Sequence, residues 1–243
     1  MKLFILLPIL TAFLSIGLKA EVKSWVTLNG QQTLVHWNDG DSFRIINGPL
    51  KGTKTRLSGF NTLESYGAVH KFGGWDAREL YIIAKKATNH NRGTHGYKPV
   101  KWECKSDMNK DGYGRILVFC DGMAESLLRL GLAHAMTIDK TPARENLLKA
   151  QRIGQKNKAG MWSKGIPDFV ATSLHSIEEG KNPAYNRLVS SKDGHSEKVM
   201  HSNVYKNCEW VCLKASDKDN MESCVLYVNW KSRYGSKMAS CLK

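Results

Sequence analysis

Residues 56–64 read RLSGFNTLE, a short strand-like stretch that carries an arginine and runs into a loop whose side chains are rich in oxygen. Taken alone, Arg56 and Glu64 could form an ordinary surface salt bridge, which adds little to stability. The segment becomes informative through the turns that lie before and after it.

Two turn segments with charged side chains flank this stretch. Residues 39–42 read DGDS and place two carboxylates around a glycine just before an apolar strand. Residues 111–115 read DGYGR, close a later hairpin and put Arg115 at the start of the next strand. Because Asp-Gly pairs are common in hairpin turns, each segment by itself is also compatible with a plain turn.

Most of residues 21–164 consists of short β-rich segments separated by Gly, Asn and Asp turns. The predicted strands are residues 23–28, 32–37, 41–46, 53–58, 99–104 and 115–120. Helical spacing of apolar residues predicts helices at residues 76–88, 123–134 and 141–160, the last with Thr141 as N-cap and Pro142 at the first helical position. The pattern predicts a small mixed β/α domain, although periodicity alone allows other folds.

In this order and at these spacings, the three turn segments resemble the staphylococcal nuclease family. The resemblance continues through residues 125–134, which read ESLLRLGLAH, and ends at residues 149–163 with a closing Trp-Ser pair. It covers about residues 22–164 and implies a small five-stranded β-barrel of the oligonucleotide-binding (OB) type with three helices packed on it.

The resemblance also implies a calcium-dependent nuclease that hydrolyses phosphodiester bonds of DNA and RNA and leaves 3′-phosphate ends. A phosphodiester is anionic and resists attack by another anion, so its hydrolysis needs a hard cation and fixed positive donors. Oxygen ligands on loops suit Ca²⁺. By position, the resemblance assigns Asp41 and Asn61 as side-chain ligands and Thr62 as a backbone carbonyl ligand.

The same correspondence assigns the catalytic groups. Arg56 and Arg115 would bind the phosphate through forked N–H donors and stabilise the transition state. Glu64 would orient or deprotonate the attacking water. Tyr113, on the turn before Arg115, adds an aromatic group suited to nucleic-acid binding.

The sequence departs from the family pattern at several positions. Asn61 stands where the family usually has an aspartate. The set of calcium ligands therefore lacks one negative charge, and weaker metal binding is expected. Leu63 replaces a proline before the glutamate. Thr137 and Asp139 stand where tyrosines lie beside the nucleotide in the best-known member. Substrate preference is therefore not carried over from the family.

Two functions of different classes remain open at this point. Retention of Arg56, Glu64 and Arg115 favours a working nuclease. The loss of a carboxylate at Asn61 is compatible with a catalytically weak or inactive nucleic-acid-binding module on the same fold. A salt-sensitive gel shift without cleavage would indicate the binding module.

An insertion after Glu64 contains a lone histidine. Residues 65–75 read SYGAVHKFGGW, and His70 in this segment could be an added ligand or a proton-transfer group. A lone histidine in a loop is more commonly just solvated, so we expect His70 to face solvent.

The N-terminus is typical of an export signal. Residues 1–20 contain Lys2, an apolar run and the small residue Ala20 before a charged stretch. A transmembrane anchor is the alternative, but the run contains Pro8 and is shorter than the roughly 20 apolar residues of a continuous span. The mature protein is expected to start near Glu21, to be secreted or periplasmic, and not to insert stably into a membrane.

The charge of the chain is strongly positive and unevenly distributed. The net charge is +14, and removal of residues 1–20 with two lysines leaves 14 − 2 = +12. Residues 165–243 carry eleven basic and nine acidic side chains, a balance of +2, so residues 21–164 carry 12 − 2 = +10. A basic field of this kind attracts polyanions such as nucleic acid, although charge alone does not exclude solubility or envelope attraction as its role.

The mature chain has an even number of cysteines, six, as is expected for disulfides in an exported protein. A hairpin could bring Cys104 and Cys120 together, and three pairings remain open for the other four cysteines. Zinc is the alternative, but the spacings are unlike those of structural zinc sites. The cysteines are Cys104, Cys120, Cys208, Cys212, Cys224 and Cys241.

The resemblance ends near residue 164, and the rest of the chain resembles no family known to us. Residues 165–202 are polar, and we predict a linker or loosely ordered arm there. Residues 203–243 combine four cysteines with apolar side chains, which predicts a small disulfide-stabilised module. We expect the protein to be a monomer.

Overall fold

The computed structural model of the chain describes residues 24–180, 183–214 and 221–243. The predicted signal peptide, residues 1–20, lies outside the described residues. Among the helices that are described, none combines the length and the apolar character needed to cross a membrane.

Residues 24–164, all of which are described, form three helices and nine short strands. In chain order these elements are β1 (Ser24–Leu28), β2 (Gln31–Trp37), β3 (Phe43–Ile45), β4 (Thr55–Leu57), β5 (Phe60–Thr62), β6 (His70–Phe72), α1 (Ala77–Arg92), β7 (Trp102–Cys104), β8 (Ile116–Val118), α2 (Asp121–Arg129), β9 (Ala133–Ala135) and α3 (Glu145–Lys156).

The first two strands show why this sequence forms a sheet. Along β1, Val26 is buried while Trp25 is 43% exposed, which is the alternation expected of a strand with one face on the core. Asn29 and Gly30 connect β1 to β2 with φ angles of 50° and 81°. Asn and Gly tolerate the left-handed region that a two-residue hairpin turn requires, so this pair sets the register of β1 against β2.

Most strands of this region lie in three sheets. The largest has the order β3-β2-β1-β7, with β1 antiparallel to β2 and parallel to β7. The other two pair β4 with β8 in parallel and β5 with β9 antiparallel. Isolated bridges join Arg44 to Lys54 and Lys105 to Phe119, between the ends of these sheets. The three predicted helices are therefore present, but in place of five strands the region has sheets of four, two and two strands.

The first helix is longer than predicted because both of its ends are capped. Asp76 accepts a hydrogen bond from the backbone N–H of Glu79, whose side chain accepts one from the Asp76 N–H. This capping box starts α1 where the sequence predicts it. The helix continues to Arg92 and ends at Gly93, which has a left-handed φ of 67°.

The other two helices are shorter than predicted. The helix predicted at 123–134 ends at Arg129, and residues 133–135 form β9 instead. Gly131 turns the chain there with a φ of 61°, and a Cβ at this position would lie 2.0 Å from the carbonyl oxygen of Ala159. Thr141 is not the N-cap of the third helix, because its hydroxyl bonds to Asp139 and α3 begins four residues later.

The prediction of a loosely ordered arm at residues 165–202 is wrong. This segment contains β10 (Phe169–Ser173), β11 (Ala184–Ser190) and β12 (Ser196–His201), which form an antiparallel sheet in that order. The polar side chains of β11 and β12 obscure the alternation typical of a strand. Leu188 and Val189 are nevertheless both buried, although they are adjacent and point to opposite faces of β11.

The last part of the chain pairs with the insertion that follows Glu64. Strands β13 (Glu209–Leu213) and β14 (Ser223–Tyr227) form a hairpin, and β14 also pairs with β6 to give the sheet β13-β14-β6. A shared apolar cluster includes Ala68 of the insertion together with Leu188 and Val225. The two predicted C-terminal segments therefore pack together and against the first domain.

All six cysteines lie within the described residues and are paired. Cys104 bonds to Cys120, as the predicted hairpin suggested, and the tail has the pairs Cys208–Cys241 and Cys212–Cys224. Glu222 lies close to Cys212 and Cys224. Since the disulfide leaves no thiolate on either cysteine, this group is not a metal site.

Candidate active site

The Asp39–Ser42 turn is folded around its own first carboxylate. Asp39 Oδ1 accepts hydrogen bonds from the backbone N–H of Asp41 at 3.1 Å and from the Ser42 hydroxyl at 2.8 Å. Gly40 is required for close packing, because a Cβ here would lie 2.6 Å from Thr62 Cγ2 and 2.7 Å from Ala87 Cβ. The turn is thereby held against β5 and α1.

Strand β5 brings the second oxygen-rich segment to this turn. The backbone N–H of Thr62 donates to Asp41 Oδ2 at 2.9 Å, and its hydroxyl donates to the same oxygen at 3.2 Å. Asp41, Asn61 and Thr62 are all buried. Two turns that lie twenty residues apart in the sequence therefore meet at one carboxylate.

Arg56 connects the same groups from strand β4. Its guanidinium donates through Nη1 to Asp41 Oδ1 and through Nη2 to Asn61 Oδ1. The parallel pairing of β4 with β8 sets Arg56 opposite Leu117, two residues after Arg115. Burial lowers the pKa of Arg56, but the nearby carboxylates raise it by more, so the group is cationic. These carboxylates belong to Asp41, Asp39 and Glu64.

The amide nitrogen of Asn61 has acceptor groups around it. Asn61 Nδ2 donates to the Thr62 carbonyl at 2.8 Å and lies 3.4 Å from His134 Nε2 on β9. Burial lowers the pKa of His134 to about 4, so its ring is neutral near pH 7 and Nε2 is able to accept. An aspartate at position 61 would lack this donor.

Glu64 follows β5 and is half-buried beside the other carboxylates. Burial, and then the charge of Asp41, raise the pKa of Glu64 to about 7, while Arg233, Arg56 and Arg115 act in the opposite direction. Within the described residues, no hydrogen bond or ion pair holds its carboxylate. Glu64 is thus a poorly solvated carboxylate with free acceptor oxygens, as a general base needs.

Asp39 is a third carboxylate at the same place. Burial raises the pKa of Asp39 to about 8, and the charges of Asp41 and Glu64 contribute to this rise. Asp39 lies in the DGDS turn but is not among the site residues predicted from the sequence. Its spacing from Asp41 was the signal that could have identified it, since two carboxylates on one tight turn point the same way when the turn folds on itself.

Arg115 and Tyr113 lie on the hairpin before β8. Asp111 binds the Arg115 guanidinium at 2.7 Å and 2.8 Å and also accepts the backbone N–H groups of Arg115 and Tyr113. The Arg115 guanidinium lies 5.4 Å from the centre of the Tyr113 ring, which is 68% exposed. Arg115 is close enough to Glu64 for its charge to lower the pKa of that carboxyl. Within the described residues, the hydrogen bonds and ion pair of its guanidinium go to Asp111 and not to the proposed metal ligands.

The expectation that His70 faces solvent is wrong. His70 lies on β6 opposite Val225 and is only 1% exposed. Neither ring nitrogen has a hydrogen-bond partner of good geometry, although the backbone of Ala171 is near enough to oppose part of its pKa shift. Burial lowers the pKa of His70 to about 3, so the ring is neutral and belongs to the interface with the C-terminal strands rather than to the site.

The fold and the site define a class: a small mixed β/α domain in which acidic turns and two arginines gather at strand ends. A family model described as "Staphylococcal nuclease homologue" matches residues 54–164. This part of the chain is therefore similar to the staphylococcal nuclease homologue family, as the motifs indicated. Members of this family are commonly nucleases that act on phosphodiesters and typically use Ca²⁺. No curated protein matches the chain.

Proposed function

We propose that the protein is an exported, calcium-dependent nuclease that hydrolyses phosphodiester bonds of DNA, of RNA or of both and leaves 3′-phosphate ends. One observation carries the proposal: Arg56 and Asp41 join the two oxygen-rich turns at a single point, and the free carboxylate of Glu64 lies beside them. This arrangement combines a place for a hard cation with a place for a phosphate.

The oxygen donors suit calcium in their chemistry. Asp41 supplies a carboxylate, Asn61 an amide oxygen and Thr62 a backbone carbonyl, and Asp39 adds a further carboxylate beside them. Ca²⁺ is typically bound by such mixed oxygen ligands from loops. When bound, the ion would act as a Lewis acid that polarises a phosphoryl oxygen and offsets the charge of the substrate.

The arginines supply the fixed positive charge. Arg56 donates to Asp41 and Asn61, and its guanidinium can turn to phosphate oxygens when those two oxygens bind a cation. Arg115 is anchored by Asp111 through Nε and Nη2, so its partly exposed fork is oriented before substrate arrives. Forked N–H donors match phosphate oxygens and stabilise the added charge of a five-coordinate transition state.

Glu64 is suited to take a proton from the attacking water. Its carboxylate oxygens are free of hydrogen bonds within the described chain, and its pKa near 7 makes it a stronger base than an ordinary glutamate. Water attacks the phosphorus atom, the bond to the 5′-oxygen breaks, and the phosphate stays on the 3′-oxygen. The 5′-oxygen takes a proton from solvent water and leaves as a hydroxyl, and Glu64 returns its proton to solvent.

Two further parts of the proposal concern architecture and location. The bridges Arg44–Lys54 and Lys105–Phe119 support closure of the four-stranded sheet and the β4-β8 pair into a barrel of the OB type. Three disulfides are compatible with an extracellular or periplasmic compartment, as the signal-like residues 1–20 predict.

A nucleic-acid-binding module without hydrolysis is the second candidate. Asn61 favours it, since this amide removes one formal charge from the proposed set of calcium ligands and forms a hydrogen bond with the Thr62 carbonyl. The balance of +10 on residues 21–164 suits binding with or without cleavage.

One experiment separates the two candidates. The purified protein without residues 1–20 is incubated with plasmid DNA and with RNA, in calcium and in a chelator of calcium. The nuclease proposal predicts cleavage of nucleic acid in calcium and none in the chelator. Intact substrates under both conditions, together with a gel shift that weakens as salt is raised, would establish the binding module instead.

A further inference from the structure

The C-terminal tail lies beside the loop that follows Glu64. Arg233 packs its side-chain stem on Gly67, where a Cβ would lie only 2.8 Å from Arg233 Cδ. The Tyr234 ring lies 6.5 Å from the ring of Tyr66, which is two residues after Glu64. The tail thus adds a cation and an aromatic ring at the edge of the proposed site, from outside the part of the chain that matches the family.

Arg233 has donors available for an anion. Its Nε donates to the Val228 carbonyl at 3.0 Å, which fixes the direction of the guanidinium. Within the described residues, no hydrogen bond or ion pair uses its two terminal nitrogens. The Arg233 side chain is thus held against Gly67, three residues after Glu64.

The two tyrosines form an exposed aromatic surface next to this arginine. Tyr66 is 40% exposed and Tyr234 is 63% exposed, so the protein leaves much of both rings in contact with water. The Lys85 ammonium lies 4.8 Å from the centre of the Tyr66 ring. Exposed rings bordered by cations are the combination that binds single-stranded nucleic acid, because bases stack on the rings while the cations contact the phosphates.

The loop of Thr137 and Asp139 supplies no such surface. The backbone N–H of Thr137 donates to Gly194 at 2.8 Å, and the N–H of Ser196 donates to the Asp139 carbonyl at 2.6 Å. Strand β12 and the turn before it thus hold this loop, which carries no ring at either position. Stacking groups beside Glu64 are instead present in the insertion and in the tail.

We propose that Arg233, Tyr234 and Tyr66 form a subsite for a nucleotide next to the scissile phosphate, and that this subsite favours single-stranded substrate. The inference rests on the proposed function of the neighbouring site. Arg233 contacts the adjacent phosphate, and an unpaired base stacks on the tyrosine rings. Bases in a duplex are stacked inside the helix and cannot reach the rings, so duplex substrate gains only the phosphate contact.

The test compares Tyr234→Leu, Tyr234→Phe and Arg233→Gln with the parent on a single-stranded oligonucleotide and its duplex. Lys237→Gln and Trp210→Leu are matched controls, since they remove an exposed cation and a partly exposed ring elsewhere in the C-terminal part. Tyr234→Leu should raise KM for the single strand about tenfold with kcat within about twofold of the parent, and should leave the duplex nearly unchanged. Tyr234→Phe keeps the ring and should behave as the parent, while Arg233→Gln should raise KM for both substrates.

Binding of the same oligonucleotides in a calcium chelator, followed by fluorescence anisotropy, keeps the subsite testable without cleavage. If the parent binds but does not cleave, loss of single-strand affinity in Tyr234→Leu still supports the subsite while the nuclease proposal fails. If the parent cleaves and Tyr234→Leu retains the parent KM and affinity for the single strand, the subsite is wrong and the nuclease proposal stands. Equal losses on single strand and duplex in Tyr234→Leu would also overturn the stacking role.

Discussion

At the scale of single residues, the affinity for calcium is expected to depend most on Asn61. Its amide oxygen accepts a hydrogen bond from the Arg56 guanidinium, and its amide nitrogen donates one to the Thr62 carbonyl. Asn61→Asp should tighten calcium binding about tenfold, since it restores a carboxylate and releases that carbonyl. Isothermal titration with calcium measures the change directly.

The same substitution should lower the stability of the protein in the absence of metal. It places a fourth carboxylate beside Asp39, Asp41 and Glu64, so the melting temperature in chelator should fall while the rise on adding calcium should grow. Asn157→Asp, an exposed position after α3, is the matched control and should leave calcium affinity unchanged. An affinity in Asn61→Asp equal to that of the parent would disprove the assignment of this ligand.

Individual site residues were predictable to the extent that a motif marks them. Asp41, Arg56 and Asn61 come from adjacent motifs and meet in direct hydrogen bonds. His134 and Arg233 could not be predicted, because their positions beside Asn61 and Glu64 depend on pairing between strands and segments far apart in sequence. Tertiary contacts of this kind leave no local pattern.

At the scale of elements, the turn at Gly40 determines where the carboxylates point. The turn packs against Thr62 on β5 and Ala87 on α1, with no room for a Cβ. Gly40→Ala should therefore lower the free energy of unfolding by about 1–3 kcal/mol and weaken calcium binding, because the turn must move away from β5. Urea denaturation and calcium titration check the two effects.

Gly122→Ala serves as the control for this prediction. Gly122 lies in the first turn of α2, and nothing lies within 4 Å of a Cβ there, so alanine should stabilise the protein by at most about 0.5 kcal/mol through its better helix propensity. If Gly40→Ala were as stable as the parent and bound calcium equally well, the tight approach of the two turns would not control the site.

Strand β6 carries the main pH-sensitive group outside the site. Burial holds the pKa of His70 near 3, against 6.5 for an ordinary histidine. The unfolded chain therefore binds a proton that the folded chain does not between these values, so stability falls as pH decreases from about 6.5 towards 3. The slope attributable to His70 is up to about 1.4 kcal/mol per pH unit.

His70→Leu should remove this slope and lose no hydrogen bond of good geometry, since neither ring nitrogen has such a partner. The difference in urea midpoint between variant and parent, measured from pH 7 to pH 4, should grow steadily in favour of the variant. Parallel profiles for the two proteins would show that His70 is not protonated on unfolding in this range.

Elements with strong local signals were predicted well, and those set by long-range contacts were not. The capping box at Asp76 and the Asn29-Gly30 turn are short sequence patterns with a direct structural consequence. The first two residues of β9 were predicted as helix because residues 123–134 are apolar at helical spacing, yet Gly131 packs against Ala159 and redirects the chain. Pairing of β9 with β5 then determines its conformation.

At the scale of the whole molecule, the C-terminal strands are part of the structural unit that carries the site. Gln151 and Gln155 of α3 donate to the Ser191 carbonyl at 2.7 Å and 2.8 Å, and the Ala143 N–H donates to Asp193. On the other side, β14 pairs with β6 of the insertion. These contacts could not be predicted because residues 165–243 carry no motif and their strands alternate with many polar residues.

Removal of residues 165–243 should therefore destabilise the remaining domain. The deletion leaves β6 without its strand partner and exposes the buried faces of Ala68 and Gln151. The complete protein should unfold in one cooperative calorimetric transition, and the truncated chain should melt at a clearly lower temperature. Two separate transitions in the complete protein, one of them at the melting temperature of the truncated chain, would mean that the two parts are independent.

The central claim is that Glu64 and the arginines act on a phosphodiester at a calcium site, and end-group analysis of a labelled oligonucleotide tests it most directly. The account predicts calcium-dependent products with 3′-phosphate ends, and a rate at least about 100-fold lower in Glu64→Gln and in Arg115→Ala while both variants keep the parent melting temperature. Cleavage that continues in chelator, or a folded Glu64→Gln variant that cleaves at the parent rate, would contradict it.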